Sequence, residues 1–165
     1  MVSKTLYIGV LGPTDCSQEI KDMAEEVGRL IAGESAILVC GGGAGVAEAS
    51  ARGSSEAGGI SVGILADADR KMSPDGLTVS IPTGLGEGRN FLIIRASDAA
   101  IAIGASWGTI SEIALACRTG VPLISLMGPQ IDWKGEKPGD IIYVMTPVDA
   151  VKKAIIAGRK RRKSI

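Results

Sequence analysis

Residues 36–46 read AILVCGGGAGV, and this stretch decides the fold. Residues 36–40 are apolar throughout, three glycines follow them, and a segment of small residues with helical periodicity begins at about residue 45. A short run that is apolar at every position indicates a strand buried on both faces, as in a parallel sheet. A glycine turn that leads from such a strand into a helix leaves backbone N–H groups free to bind a phosphate.

The same alternation continues on both sides of this stretch. Apolar runs predict further strands at residues 5–11, 60–65, 78–81, 99–103, 122–127 and 141–145. Helical segments separate most of these strands, and Pro147 can open the last helix. We therefore predict an α/β fold, a Rossmann-like doubly wound parallel sheet with strand order about 3-2-1-4-5 and helices on both faces.

The composition fits one domain and excludes several kinds of chemistry. The 165 residues are 45% apolar, which is enough for the core of a single domain. The chain has no histidine, so a Ser-His-Asp triad, a Cys-His pair and a histidine-ligated metal site are excluded. Acid–base chemistry would fall to carboxylates, Lys, Tyr or Cys. We expect no metal site and no required cofactor.

The formal charge is zero, but the charges are unevenly distributed. Residues 151–165 hold seven of the 18 basic residues and no acidic one, which leaves a net charge of −7 on the other 150 residues. We predict a single nucleotide-binding domain over residues 1–158 and a flexible basic tail over residues 159–165. The tail could tether nucleic acid or anionic lipid, or be a solvated end whose cations suit a helix C-terminus. The acidic body favours the second interpretation, so we expect no nucleic-acid partner.

The cysteines and the hydropathy pattern indicate the cellular compartment of the protein. Cys16, Cys40 and Cys117 are odd in number, far apart and without a C-x-x-C pair, which is typical of a reducing compartment. No signal peptide is evident, and no uncharged apolar run reaches the ~18 residues of a membrane span. We expect a cytoplasmic protein that does not associate with membranes.

A ligand site is expected where the strand order reverses, at the carboxyl ends of the strands. Three turns should meet there: one after the first strand, the glycine run at residues 41–46, and a second glycine-containing turn at residues 104–109. The residues that we expect to bind a phosphate in these turns are Gly12, Gly41, Gly42, Gly43, Gly108 and Thr109. The alternative is that the glycines serve only tight turns and close helix–strand packing. The nucleotide triphosphatase pattern G-x-x-x-x-G-K-[ST] is absent.

Three charged residues accompany these turns. Arg89 and Arg95 flank a helical stretch, and Glu112 lies one turn into the helix that follows residues 104–109. Glu112 could point back over the start of that helix toward the phosphate. The alternative is a capping box, with Thr109 as N-cap and Glu112 at position N3, and T-I-S-E fits that box in type and spacing.

The segments GEGRN (86–90), RASD (95–98) and GTISE (108–112) resemble the signature of the Lonely-Guy-type proteins, once described as lysine decarboxylases. The interval of 23 residues from Arg89 to Glu112 is similar to the family's, and Arg95 matches a family arginine. The phrase TGLG at residues 83–86 looks more like the molybdenum cofactor carrier proteins, so the chain is most similar to that subgroup. The resemblance implies a phosphate-binding Rossmann fold, a catalytic role for Arg89 and Glu112 in an enzyme, and a homodimer or homotetramer.

Two functions follow from the resemblance and the residues together. The first is a carrier-like protein that binds a phosphorylated nucleotide or pterin, with molybdopterin or the molybdenum cofactor as the carried ligand and Arg89 and Arg95 on its anionic groups. The alternative is a metal-independent nucleoside 5′-monophosphate phosphoribohydrolase. In that enzyme Glu112 would orient water and stabilise an oxocarbenium-like transition state, while Arg89 would hold the ribose or phosphate. A pyridoxal-phosphate lysine decarboxylase is not expected, because no lysine lies in the glycine-containing turns.

Overall fold

The computed structural model describes residues 5–71, 73–131 and 141–164. In these residues the strands are β1 (Tyr7–Leu11), β2 (Ile37–Cys40), β3 (Ile60–Leu65), β4 (Val79–Pro82), β5 (Ala99–Ile103), β6 (Leu123–Leu126) and β7 (Ile141–Val144). The helices are α1 (Gln18–Gly33), α2 (Val46–Glu56), α3 (Asn90–Ala96), α4 (Trp107–Thr119) and α5 (Pro147–Arg162), and a 3-10 turn (Gly86–Arg89) leads directly into α3.

All strand pairs are parallel, and the order across the sheet is β4-β3-β2-β1-β5-β6-β7. The chain runs from β1 outward to β4, returns to place β5 on the other side of β1, and continues to β7. The strand order therefore reverses between β1 and β5, where the two strands pair from Ile8 with Ala99 to Leu11 with Ala102. The predicted doubly wound fold is confirmed, and β4 and β7 extend the sheet at its two edges.

The helices cover both faces of the sheet and bury its apolar side chains. One core cluster joins the sheet to α1, α2 and α5, and a second joins it to α3 and α4. Every residue of β5 is buried, because this central strand has helices on both faces. Burial on both faces explains why the sequence of β5 (AAIAI) has no polar position. Its alanines let the helices pack close to the strand.

The last helix extends further than predicted. Residues 159–162, expected to begin a flexible tail, form the final turn of α5, so that expectation is wrong for these residues. The Arg162 Nε donates to Asp98 Oδ1 at 2.8 Å, and the Arg161 Nη1 donates to the carbonyl of Ser97 at 2.9 Å. The cations thus have partners at the start of β5, 64 residues away in the chain, which no local pattern reveals. None of the described helices is long and apolar enough to cross a membrane.

Candidate functional site

A cavity of about 260 Å³ opens at the carboxyl ends of β1 and β2, beside the start of α4. It lies at the reversal of strand order, as expected for this fold. Of the residues predicted for the site, the structure brings together Gly12, Gly41, Gly43, Arg89, Gly108, Thr109 and Glu112. These residues come from four separate segments of the chain, so the fold assembles them and no single motif contains them.

Two predicted ligand residues do not line the cavity. Arg95 is exposed on α3. It is six residues from Arg89, a rotation of about 240° around a helix, so the two side chains cannot face the same cleft. Gly42 is buried and does not line the cavity. Burial raises the pKa of the Cys40 thiol to about 11, so this cysteine is a neutral packing residue.

Two helices begin at the cavity. Gly45 is the N-cap of α2, with φ +70°, and a side chain there would collide with the backbone carbonyls of Pro13 and Thr14. The Val46 N–H donates to the Pro13 carbonyl at 3.1 Å, which fixes the turn after β1 against the start of α2. The free N–H groups and the positive dipole ends of α2 and α4 therefore converge on one space, which is an arrangement that binds anions.

The cap of α4 differs from the expectation. Ser106 is the N-cap, since its Oγ accepts the Thr109 N–H at 3.1 Å, and the Thr109 hydroxyl lies 2.9 Å from the same Oγ. Thr109 occupies position N3, and Glu112 lies three residues further along. The predicted capping box of Thr109 and Glu112 is therefore wrong, and Glu112 is not engaged by the helix terminus.

Glu112 is a buried carboxyl that faces the cavity. Its side chain is 8% exposed, and it forms no hydrogen bond with any described residue. The Arg89 Nη1 is 3.7 Å from the Glu112 Oε1, which is a charge contact that is too long for a hydrogen bond. Burial raises the pKa of the Glu112 carboxyl from its usual value near 4.5 to about 7, and the Arg89 charge partly opposes this rise. Near neutral pH this carboxyl can therefore either donate or accept a proton.

Arg89 lies deep in the cavity at the end of the 3-10 turn, with its side chain 18% exposed. Its Nη1 donates to the Asn90 Oδ1 at 2.6 Å, and its Nε is buried without a partner among the described residues. The guanidinium lies against Gly41, where a Cβ would stand 2.6 Å from Nη2, so any larger residue would displace the arginine. A buried N–H donor with no partner is unusual in a native protein, so the described residues leave the donors of Arg89 only partly satisfied.

Sequence reasoning missed Asn90 and Ser106. Both line the cavity, Asn90 holds the arginine, and Ser106 caps α4. The signal for Ser106 was its position three residues before Thr109, which is the spacing of an N-cap and its N3 residue. Asn90 stands directly after Arg89, but its role depends on a side-chain orientation that the sequence does not encode.

Comparisons with known proteins place the chain in a family. Residues 5–151 match the SLOG cluster4 family. The chain belongs to the SLOG cluster4 family. An uncharacterized protein from Archaeoglobus fulgidus is 41% identical to this SLOG cluster4 protein over 128 residues, which are 78% of this chain and 84% of the relative.

Two solved structures support the resemblance to molybdenum cofactor carriers. The molybdenum cofactor binding protein from Rippkaea orientalis has a TM-score of 0.85 and 30% identity, covering 93% of this chain and 98% of that one. The molybdenum cofactor carrier protein from Chlamydomonas reinhardtii has a TM-score of 0.80 and 27% identity, over 93% of this chain and 98% of that one. This SLOG cluster4 protein thus shares its whole fold with molybdenum cofactor carriers.

Proposed function

We propose that this SLOG cluster4 protein binds a phosphorylated pterin or nucleotide in the cavity between α2 and α4 and carries it without changing it. The observation that supports this proposal most is the largely buried Arg89 guanidinium in the cavity, which donates to Asn90 and makes no other side-chain hydrogen bond among the described residues. Such a donor suits a phosphate oxygen, because a guanidinium binds phosphate through charge-assisted hydrogen bonds. The similarity to molybdenum cofactor carriers makes the molybdenum cofactor the first ligand to test.

The size of the cavity suits a ligand with an anionic end inside it and the remainder outside. A cavity of about 260 Å³ is below the range of ~300–1,000 Å³ that encloses most of a drug-sized molecule. The phosphate would therefore occupy the cavity and the planar ring would extend through its mouth. Trp107, 87% exposed and next to Gly108 at the start of α4, offers an aromatic face on which such a ring can stack.

A retention experiment tests this proposal. The protein is mixed with molybdenum cofactor released from a donor molybdoenzyme, and the molybdenum that elutes with the protein in gel filtration is measured. Adenosine monophosphate, titrated by calorimetry, serves as the nucleotide probe. We expect Arg89→Gln to weaken binding of the retained ligand at least ~10-fold, the loss of a hydrogen bond to a charged group.

The matched control is Arg95→Gln, which removes a cation from the exposed side of α3, the helix that follows Arg89. We expect this variant to bind like the wild type. Retention of neither probe by the wild type, or equal binding by the wild type and Arg89→Gln, would show that the cavity is not a phosphate site held by Arg89.

Glu112 favours a second candidate function, the hydrolysis of nucleoside 5′-monophosphates. A carboxyl with a pKa of about 7, which lies 3.7 Å from the Arg89 guanidinium and takes no part in the helix cap, is suited to acid–base chemistry near neutral pH. The ionised carboxylate would take a proton from water as the water oxygen bonds to C1′ of the ribose. The N-glycosidic bond would break, the base would leave with the proton that Glu112 took from water, and ribose 5-phosphate would remain.

Release of free base decides between the two functions. The wild type and Glu112→Gln are incubated with adenosine, guanosine, cytidine and uridine monophosphates, and the bases are quantified by chromatography. A hydrolase releases base only in the wild type. Release of no base by the wild type, with tight ligand retention, leaves carriage as the function.

The oligomeric state also remains a proposal. Phe91 and Leu92 on α3 and Trp107 on α4 are exposed apolar side chains close to the cavity. We propose that a second copy of the chain covers them in a homodimer or homotetramer, with α3 and α4 in the interface. Light scattering during gel filtration measures the mass, and a monomer at micromolar concentration would contradict this. A cytoplasmic location and the lack of nucleic-acid binding stay predictions.

A further inference from the structure

Asn90 makes the shortest polar contact at the floor of the cavity. It is the first residue of α3, it is 8% exposed, and its Oδ1 accepts from the Arg89 Nη1 at 2.6 Å. Its Nδ2 in turn donates to the Ser111 Oγ at 3.4 Å, and the Ser111 hydroxyl donates to the Gly108 carbonyl at 2.7 Å. A chain of hydrogen bonds therefore links Arg89 to the first turn of α4, and it sets the orientation of the Asn90 amide.

The same nitrogen of Arg89 faces two acceptors. Nη1 is 2.6 Å from the amide oxygen of Asn90 and 3.7 Å from the Glu112 Oε1. Only the first is a hydrogen-bond distance. A neutral amide thus engages the nitrogen, although a carboxylate, the stronger acceptor for a guanidinium, is close by.

We propose that Asn90 is a positioning residue, which holds Arg89 through Nη1 and so keeps the guanidinium from closing a hydrogen-bonded ion pair with Glu112. Without Asn90, Arg89 would move toward the carboxylate, and its charge would be neutralised inside the cavity. With Asn90 in place, the charge of the Arg89 guanidinium stays available to an incoming anion, and only this last statement rests on the proposed function.

A change in the Arg89–Glu112 distance has a measurable consequence for Glu112. The titratable or charged groups that share its surroundings are Arg89, the Cys40 thiol of β2 and Glu87, which lines the outer part of the cavity. The thiol is neutral at physiological pH, so Arg89 is the one cation in this set. An opposite charge that moves into hydrogen-bond contact lowers a carboxyl pKa by about 1–3 units.

The experiment follows the carboxyl carbon of Glu112 by NMR as the pH is raised, in protein labelled at glutamate and without any ligand. The Glu112 signal is assigned by its absence in Glu112→Gln. Asn90→Ala removes the acceptor, and Asn90→Leu removes it while keeping the volume of the side chain. We expect both variants to lower the titration midpoint of Glu112 by about one pH unit or more. Asn90→Asp retains an acceptor for Nη1, so we expect it not to lower the midpoint.

A cation on the outside of the same helix provides the control. Arg95→Gln should leave the Glu112 midpoint at its wild-type value. A wild-type midpoint in Asn90→Ala, or in Asn90→Leu where the alanine variant does not fold, overturns the positioning role. So does a midpoint lowered equally by Asn90→Asp. Since the titration contains no ligand, its result tests the role of Asn90 independently of whether the protein retains a phosphorylated pterin or nucleotide.

Discussion

Arg89 and Glu112 are 23 residues apart in the chain, and their side chains are 3.7 Å apart in the fold, with no hydrogen bond between them. The Arg89 Nη1 donates to Asn90, and the Glu112 carboxyl has no hydrogen bond with a described residue, so each side chain keeps polar atoms that a third molecule can engage. A closed ion pair would have satisfied both residues and left the cavity without reactive groups. This partial separation is what makes the cavity suitable for an anionic ligand.

Stability should depend on pH through Glu112. Its carboxyl has a folded pKa of about 7, above the unfolded value near 4.5, so the native state is stabilised below about pH 4.5 and loses this contribution as the pH rises through 7. Glu112→Gln cannot ionise. We therefore expect it to be more stable than the wild type at about pH 8.5, by up to about 3 kcal/mol, and the advantage to be smaller at about pH 5.5. Urea unfolding at the two pH values measures this, and equal differences at both would contradict it.

Ligand affinity should fall as the pH rises. An ionised Glu112 repels the phosphate that Arg89 attracts, whereas the protonated carboxyl does not. We expect the affinity for adenosine monophosphate to decrease up to about 10-fold between about pH 6 and pH 8 in the wild type. The phosphate itself titrates near pH 6, so Glu112→Gln serves as the reference. A pH dependence that is the same in both proteins would show that Glu112 does not contribute.

A methyl group at residue 41 should disturb Arg89 specifically. The Cβ of Gly41→Ala would stand 2.6 Å from the Arg89 Nη2, and the arginine can move because its side chain is flexible. We expect weaker ligand binding with a change in unfolding free energy below about 1 kcal/mol. Gly33→Ala, at the end of α1, is a control with no atom within 4 Å of the added Cβ. Unchanged ligand binding in Gly41→Ala would mean that the position of Arg89 is not critical.

The last turn of α5 should contribute to stability through Asp98. One carboxylate oxygen of Asp98 accepts from the Arg162 Nε at 2.8 Å, and the other accepts from the Tyr7 N–H at 2.8 Å. Both side chains of the ion pair are largely buried, so we expect Asp98→Ala to lower the unfolding free energy by about 2–3 kcal/mol. Arg159→Ala breaks an exposed pair with Glu34 at 3.9 Å and should cost less than about 0.5 kcal/mol. Similar losses in the two variants in urea unfolding would argue against a structural role for Asp98.

Most of the fold could be predicted from the sequence. All seven predicted strands are present in the described residues, and the turn at residues 41–45 leads from β2 into α2 as the glycines indicate. The reason is that burial on both faces requires an apolar residue at every position of a central strand, and this requirement is visible as an uninterrupted run. The sequence did not predict that residues 159–162 are helical, because the partners of Arg161 and Arg162 lie just before β5, far away in the chain.

The sequence by itself determined the parallel sheet, and it predicted the place of the cavity and seven of the residues that line it. These features depend on the period of the apolar residues, on the glycine turns and on the succession of strands and helices, all of which can be recognised along the sequence. Only the tertiary structure decided that Ser106 caps α4, that Arg95 points away, and that Asn90 holds Arg89 apart from Glu112. Those outcomes depend on distances of a few ångströms between side chains of different elements, and hydrogen bonding and burial change steeply over such distances.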